Sequence, residues 1–180
     1  QTDYNRRRCF YGSHDVSINE QGQADAKQLR LLMQEHTVDA IYTSSLKRTQ
    51  ETAWLAFPER KVQPIADFDE RGFGQWEGLT ADEIEAAFPE VWQAWLEAPF
   101  EITPPEAEVF SDFQTRVWAA TDRLLDSTDE SIALVAHLGV LRLIYQHLVD
   151  GEAVFWNIDV PQGRVLLLEE RDQTWQATLL

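Results

Sequence analysis

The sequence predicts an α/β domain, a three-layer sandwich with a mostly parallel central sheet and helices on both faces. Three observations lead there. Short apolar runs of strand character alternate with stretches of helical periodicity, the pattern of strand–helix units packed into one sheet. No repeat, linker or low-complexity tract breaks that alternation. With 180 residues, 44% of them apolar, the chain can bury one substantial core, so a single domain over 1–180 is expected.

Taken in order, Asn19 precedes a helical stretch from Glu20 to Glu35, where Ala26, Leu29, Leu32 and Met33 fall on one face. Asp39 to Thr43 reads as a strand. Ser44 and Ser45 then stand at the cap position of a helix from Leu46 to about Ala56. Val62 to Ile65 forms another short strand, and glycines at 72, 74 and 78 imply irregular backbone over Phe68 to Leu79. Thr80 to Leu96 is helical, divided at Phe88-Pro89 because proline ends one helix and suits the first turn of the next. Residues 80–105 thus form a small helical cap, closed by the proline-containing loop Pro99 to Pro105. Ser111 and Gln114 make a capping-box pattern ahead of Phe113, Val117, Ala120 and Leu124 at helical spacing. Ser131 to Ala136 reads as a strand buried on both faces, and Leu141, Ile144, Tyr145 and Leu148 as the apolar stripe of the following helix. Gly163 to Leu168 and Thr174 to Leu180 suggest a hairpin around 169–173.

Composition excludes several functions. Fifteen Lys and Arg against 31 Asp and Glu leave a formal charge of -16, which repels nucleic acid and anionic membranes, so an anionic ligand needs a locally basic pocket. The lone Cys9 fits a reducing compartment and excludes an internal disulfide framework. No apolar run approaches the roughly 20 residues needed to span a bilayer. A cytoplasmic protein is the expectation, and its oligomeric state stays open, a dimer included.

In open α/β sheets, ligands bind beyond the carboxyl ends of the strands. Ser44-Ser45 and His137 both fall at such ends. His137 follows buried strand and precedes a helix, beside free backbone N–H groups that suit an anion. A lone histidine there is more often one that satisfies hydrogen bonds in a buried loop. Arg48 lies in the first turn of its helix, where cations are mildly disfavoured; a pocket explains that placement, and so does a surface ion pair. Glu70 sits among aromatic residues that can desolvate a carboxylate and raise its pKa, although most glutamates in so acidic a chain face water. There is no Walker-type glycine loop and no convincing cluster of metal ligands.

Order adds what single residues lack. Gln1-Thr2-Asp3-Tyr4-Asn5, Thr43 to Ala53, the Glu70 to Gly78 loop, Pro104 to Glu108 and Leu134 to Arg142 resemble, in succession, the blocks of the histidine phosphatase superfamily. The resemblance covers nearly the whole chain. It is nearest to the short branch that includes alpha-ribazole phosphatase, with the link to cobalamin biosynthesis that this name carries, and it implies a phosphoglycerate mutase-like fold.

The resemblance implies that Arg48 and His137 clamp the transferred phosphoryl group, with Asn5 and the backbone at Leu138 as further contacts. Glu70 matches the proton donor and acceptor, and Glu108 a second acidic position near the pocket. Gln1 and Thr2 would line the phosphate loop. A strand and the Arg-His-Gly triplet that carries the nucleophile would stand before Gln1, about ten further residues. The activity implied is a metal-independent phosphomonoesterase working through a phosphohistidine on a small phosphorylated metabolite, alpha-ribazole 5′-phosphate among the candidates, with no cofactor. Two alternatives stand beside it: mutase-type phosphoryl transfer, which fits less well because Thr80 to Pro105 is short, and a catalytically dead phosphate-binding module. Leu138 and Ala107 occupy positions where the family commonly has glycine, and Cys9 one often held by arginine. His14, His36 and His147 match no catalytic position.

Overall fold

A computed structural model describes Gln1–Leu180. Its first helix, α1 (Asp3–Arg7), is a short element that periodicity does not reveal. Thr2 caps it: its hydroxyl accepts from the Asn5 N–H, while the Asn5 side chain accepts from the Thr2 N–H. Helix α2 (Glu20–Met33) begins as expected, with Asn19 Oδ1 accepting from Gly22 N, but only Gly22 and Ala26 on it are buried. Leu29, Leu32 and Met33 are half-buried.

Strand β1 (Ala40–Thr43) is central, with β2 (Val62–Pro64) and β3 (Ile132–Val135) parallel to it on either side in the order β2-β1-β3. Ile41 pairs with Val62 and Ala133, and Thr43 with Pro64 and Val135. This register brings the carboxyl ends of β1 and β3 together, so Ser44 and His137 leave the sheet side by side. Helix α3 (Lys47–Ala56) contacts all three strands and packs against α2. Leu46, not Ser44 or Ser45, occupies the N-cap of α3; the Ser44 hydroxyl accepts from the Leu46 N–H instead.

Two single turns of 3-10 helix, Ala66–Phe68 and Gly74–Trp76, replace regular structure in the glycine-rich stretch. Helices α4 (Ala81–Ala87) and α5 (Pro89–Glu97) divide at Phe88-Pro89 as expected. Their inner faces close on Trp76, Ile84, Trp92 and Trp95, with Trp92 and Trp95 stacked at 5.6 Å and Phe10 edge-on to both. Trp92 and Trp95 are therefore packing residues, while Phe100 remains exposed.

Helix α6 (Phe110–Leu125) starts a residue before the predicted capping box, and its N-cap, Val109, makes no side-chain cap bond. Phe110 decides that start: its ring meets Phe100 at 4.5 Å and Phe155 at 5.5 Å, so aromatic packing outweighs a local hydrogen bond. Helix α7 (Leu138–Leu148) buries Ile144 as expected, but with Val140 and Leu143, while Leu141, Tyr145 and Leu148 of the predicted stripe are half-buried. These residues join Phe68, Phe113, Val117, Ala120 and Phe155 in the main core, into which Leu134 also packs. Full burial of each such side chain contributes about 1.5–3 kcal/mol.

All four residues of β3 are half-buried, against the expectation of burial on both faces. The reason is topological, because β3 is an edge strand paired only to β1. The chain ends in β4 (Leu166–Arg171) and β5 (Thr174–Leu179), a separate antiparallel pair whose first strand lies further along than predicted. Its turn residues Asp172 and Gln173 both have positive φ, 51° and 61°, as a two-residue hairpin turn with right-handed strand twist requires. The parallel sheet flanked by helices is the expected α/β arrangement.

Candidate active site

Beyond the carboxyl ends of β1 and β3, four parts of the chain meet. Arg48, in the first turn of α3, is 7% exposed although arginine is rarely buried unless paired. Its Nη2 donates to the Gly12 carbonyl at 2.7 Å, its Nη1 to the His14 carbonyl at 3.0 Å, and its Nε to His137 Nδ1 at 3.3 Å. The guanidinium also lies 4.8 Å from the centre of the Tyr11 ring. A cation fixed this firmly is pre-organised for an anion, because little side-chain entropy remains to be lost on binding.

His137, at the N-cap of α7, is 9% exposed. Its Nε2 lies 2.8 Å from the Ser44 hydroxyl. Burial first, then the charges of Arg48 and Arg116, hold the imidazole well below its ordinary range, so the ring is neutral at pH 7.

Glu70 is half-buried as a residue, but its carboxylate is enclosed. Oε2 accepts from the Gly139 N–H at 3.1 Å and Oε1 from the Arg71 N–H at 3.0 Å. Burial pushes the carboxyl up, against the opposing pull of those two donors and of Arg48 and Arg116. An acid raised in this way keeps its proton closer to neutral pH, which suits a proton donor. Gly139 is what allows the contact, since a Cβ there would stand 2.3 Å from Glu70 Oε1.

Asn5 is also drawn in. Its Oδ1 accepts from Thr2 N, Thr2 Oγ1 and Tyr11 OH at 2.9, 3.0 and 2.9 Å, which leaves the donor end of the amide outside this network. Tyr11 thereby links Asn5 to Arg48. Thr2 is buried within the same network and caps α1, so its hydroxyl offers no open face. The Gln1 carbonyl accepts from the Asn19 N–H at 2.9 Å, which ties this residue to the start of α2. Leu138, the first residue of α7, is half-buried.

Glu108 reaches this group through Arg116, whose Nη2 also donates to the Glu70 carbonyl at 3.4 Å. Arg116 holds its carboxylate in a two-pronged pair, at 2.6 and 2.8 Å. The same guanidinium donates to the carbonyls of Asp67 and Asp69 at 2.8 Å. In this geometry Glu108 and Arg116 together brace the segment leading into Glu70.

Sequence reasoning missed Glu77. Its carboxylate accepts from the N–H groups of Gly12, Ser13, His14 and Phe73 and from the Ser13 hydroxyl, all at 2.8–3.1 Å. Burial alone would raise this carboxyl, but the four backbone donors outweigh it and hold the group below the ordinary range. The turn at 12–14 therefore points its N–H groups at Glu77 and two of its carbonyls at Arg48. Gly12 is required there, because a Cβ would meet the Arg71 carbonyl oxygen at 1.7 Å. The only hint in the sequence was an acidic residue inside the quoted glycine-rich loop. Thr49 was passed over as well; its hydroxyl lies 2.8 Å from that of Ser44 beneath His137.

Chemically, a fixed guanidinium, an imidazole and a raised carboxylic acid around one strand end can hold a phosphate-sized anion and hand a proton to a leaving oxygen. The local cations make this feasible in a chain of charge -16. No group of three or more His, Cys, Asp or Glu side chains is arranged to hold a metal ion, and no helix is long and apolar enough to cross a membrane.

Comparison with known proteins places the chain among phosphatases. It is 26% identical over 178 residues to phosphoserine phosphatase 1 of Hydrogenobacter thermophilus, covering 95% of this chain and 84% of that one. Superposed on the crystal structure of the alpha-ribazole phosphatase from Shigella flexneri it reaches a TM-score of 0.92 at 25% identity, covering 100% of this chain and 91% of the other. Against a bifunctional protein of Mycobacterium tuberculosis it is 27% identical over 174 residues, 94% of this chain but 48% of that protein, so it spans about half the length of this relative. Residues 1–180 match the family model described as the histidine phosphatase superfamily, branch 1, and the chain belongs to that family.

Proposed function

We propose that this chain is the phosphoryl-handling domain of a metal-independent phosphomonoesterase that hydrolyses a small phosphorylated metabolite through a phosphohistidine. The observation that carries this reading is the direct contact of Arg48 with His137, with the Glu70 carboxyl bound two residues further along α7 at the Gly139 N–H. In the proposed cycle a histidine nitrogen, the nucleophile that the family resemblance implies, attacks phosphorus in line. The bond to the leaving oxygen breaks as protonated Glu70 gives that oxygen its proton. Glu70, now a carboxylate, takes a proton from water as the water oxygen attacks the phosphohistidine, which frees phosphate and restores both groups. Arg48, Asn5 and His137 steady the equatorial oxygens throughout.

Alpha-ribazole 5′-phosphate is the substrate to test first, on the strength of the likeness to the Shigella enzyme, and phosphoserine the comparison. Helices α4 and α5, read as a small cap, would choose between leaving groups. The decisive experiment mixes the native polypeptide with each ester, quenches within milliseconds, and looks for acid-labile phosphate on histidine. Trapped label and steady phosphate release support the reading. Tight phosphate binding without turnover would replace it with a binding module, and transfer to a second metabolite instead of water would replace it with a mutase.

A further inference from the structure

Beneath the imidazole of His137 lies a chain of hydroxyls with only one consistent direction. The Ser44 and Thr49 side chains are buried, at 0% and 3% exposure. Arg48 Nε carries a hydrogen and donates to His137 Nδ1 at 3.3 Å, so Nδ1 holds the lone pair. In a neutral ring the proton is then on Nε2, which donates to Ser44 Oγ at 2.8 Å. The Leu46 N–H also donates to Ser44 Oγ, at 3.2 Å, so both lone pairs of this oxygen are taken and its own hydrogen goes to Thr49 Oγ1 at 2.8 Å. Thr49 completes the chain by donating to the Leu46 carbonyl at 2.8 Å. Reversing any link would leave a buried hydrogen or lone pair without a partner, at a cost of about 1–3 kcal/mol.

We propose that Ser44, backed by Thr49, is a positioning residue that holds His137 in the Nε2–H form and so leaves Nδ1 as its only nitrogen able to meet a phosphoryl oxygen. The consequence rests on the reading of Arg48 and His137 as phosphoryl clamps. Nδ1 lacks a hydrogen in the empty site, so a bound dianion recruits a proton to that atom, and Ser44 accepts from Nε2–H before and after. The other charged groups facing this ring are Arg48 from α3, Arg116 from α6 and, on the Gly139 N–H, Glu70. Glu70 is the rival destination for the proton.

The test is a long-range proton–nitrogen NMR correlation on the native polypeptide at pH 8, which identifies the protonated nitrogen without requiring turnover. The expected spectrum shows Nε2–H for His137 in the wild type, a mixture of forms in Ser44→Ala, and recovery of Nε2–H in Ser44→Thr. Thr49→Val, which keeps the Ser44 hydroxyl, serves if Ser44→Ala does not fold, and should broaden or partly shift the same signal. With a phosphomonoester, Ser44→Ala lowers kcat about tenfold or more and moves its pH profile, because the imidazolium that forms on the dianion loses the acceptor that holds its Nε2–H. Titrating tungstate into Glu70→Gln in two buffers of different ionisation heat should still show proton uptake. A wild-type Nδ1–H or imidazolium signal overturns the proposal, as does an unchanged tautomer and pH profile in Ser44→Ala, or loss of proton uptake in Glu70→Gln. If the protein proves not to be a phosphatase, the NMR result still decides the role of Ser44.

Discussion

Replacing Gly139 with alanine puts a methyl group where the Glu70 carboxylate lies. The new Cβ would stand 2.3 Å from Oε1 and 3.1 Å from both Cδ and Oε2. Carbon–oxygen contacts settle at about 3.3 Å or more, so the carboxylate must retreat by about 1 Å. The group that moves is the end of a flexible side chain, so the backbone of α7 can stay in place. Loss of the 3.1 Å bond from Gly139 N to Oε2 costs about 0.5–1.5 kcal/mol, and exchanging glycine for alanine within a helix returns about 0.5–1 kcal/mol. The two nearly cancel, so Tm should change by no more than a few degrees. Catalysis is far less tolerant, because misplacement of a reacting group by about 1 Å costs on the order of 100-fold in rate. The assay is kcat and KM on a phosphomonoester with a poor leaving group, beside a thermal melt of the same preparation. A large fall in kcat with Tm preserved is expected. Full kcat would show that the position of Glu70 does not limit the reaction, and a collapsed Tm would show that the packing argument is wrong.

Other consequences can be measured in the same way. Arg48→Lys removes the fork that reaches two carbonyls and His137 at once; kcat/KM should drop at least about 100-fold, and retention of wild-type kcat/KM would remove Arg48 from the clamp. Glu70→Gln should lower kcat by about 100- to 10,000-fold for poor leaving groups and much less for an aryl phosphate. In the wild type, the fall in donor activity with rising pH should lie above the ordinary carboxylate range, since burial raises this group; equal losses on both substrates would contradict proton donation. Glu77 gives a pH dependence of the opposite sign. Its folded pKa lies below the unfolded one, so its stabilisation is present above the unfolded value and is lost as pH falls through the folded value. Urea unfolding across pH 2–7 should therefore show Glu77→Gln much less stable than wild type near neutrality, by about 1–3 kcal/mol, with the gap closing in acid. A constant gap would mean that the carboxylate charge is not what holds the turn at 12–14.

The amino-acid sequence by itself determined the alternation of helices and strands, the break at Phe88-Pro89, the Asn19 cap, the place of Arg48 in the first turn of its helix and that of His137 at a strand end. Each of these is written locally, in side-chain periodicity or in a hydrogen bond that closes within a few residues. The order of its motifs also marked the family. Where tertiary packing competed with a local signal, packing won: Phe110 started α6 ahead of the Ser111 capping box, and the buried stripe of α7 kept Ile144 but took Val140 and Leu143 in place of Leu141 and Tyr145 to meet the core. Only the tertiary structure decided which partners the site residues have. Glu77 meets Gly12 across 65 positions and His137 meets Ser44 across 93, and no spacing rule encodes such pairs. Glu108, read as an acid near the pocket, was claimed by Arg116 because α6 brings a guanidinium to it. A carboxylate or an imidazole carries the same covalent chemistry wherever it stands; what it does depends on its burial and its donors, and those exist only once the chain has folded.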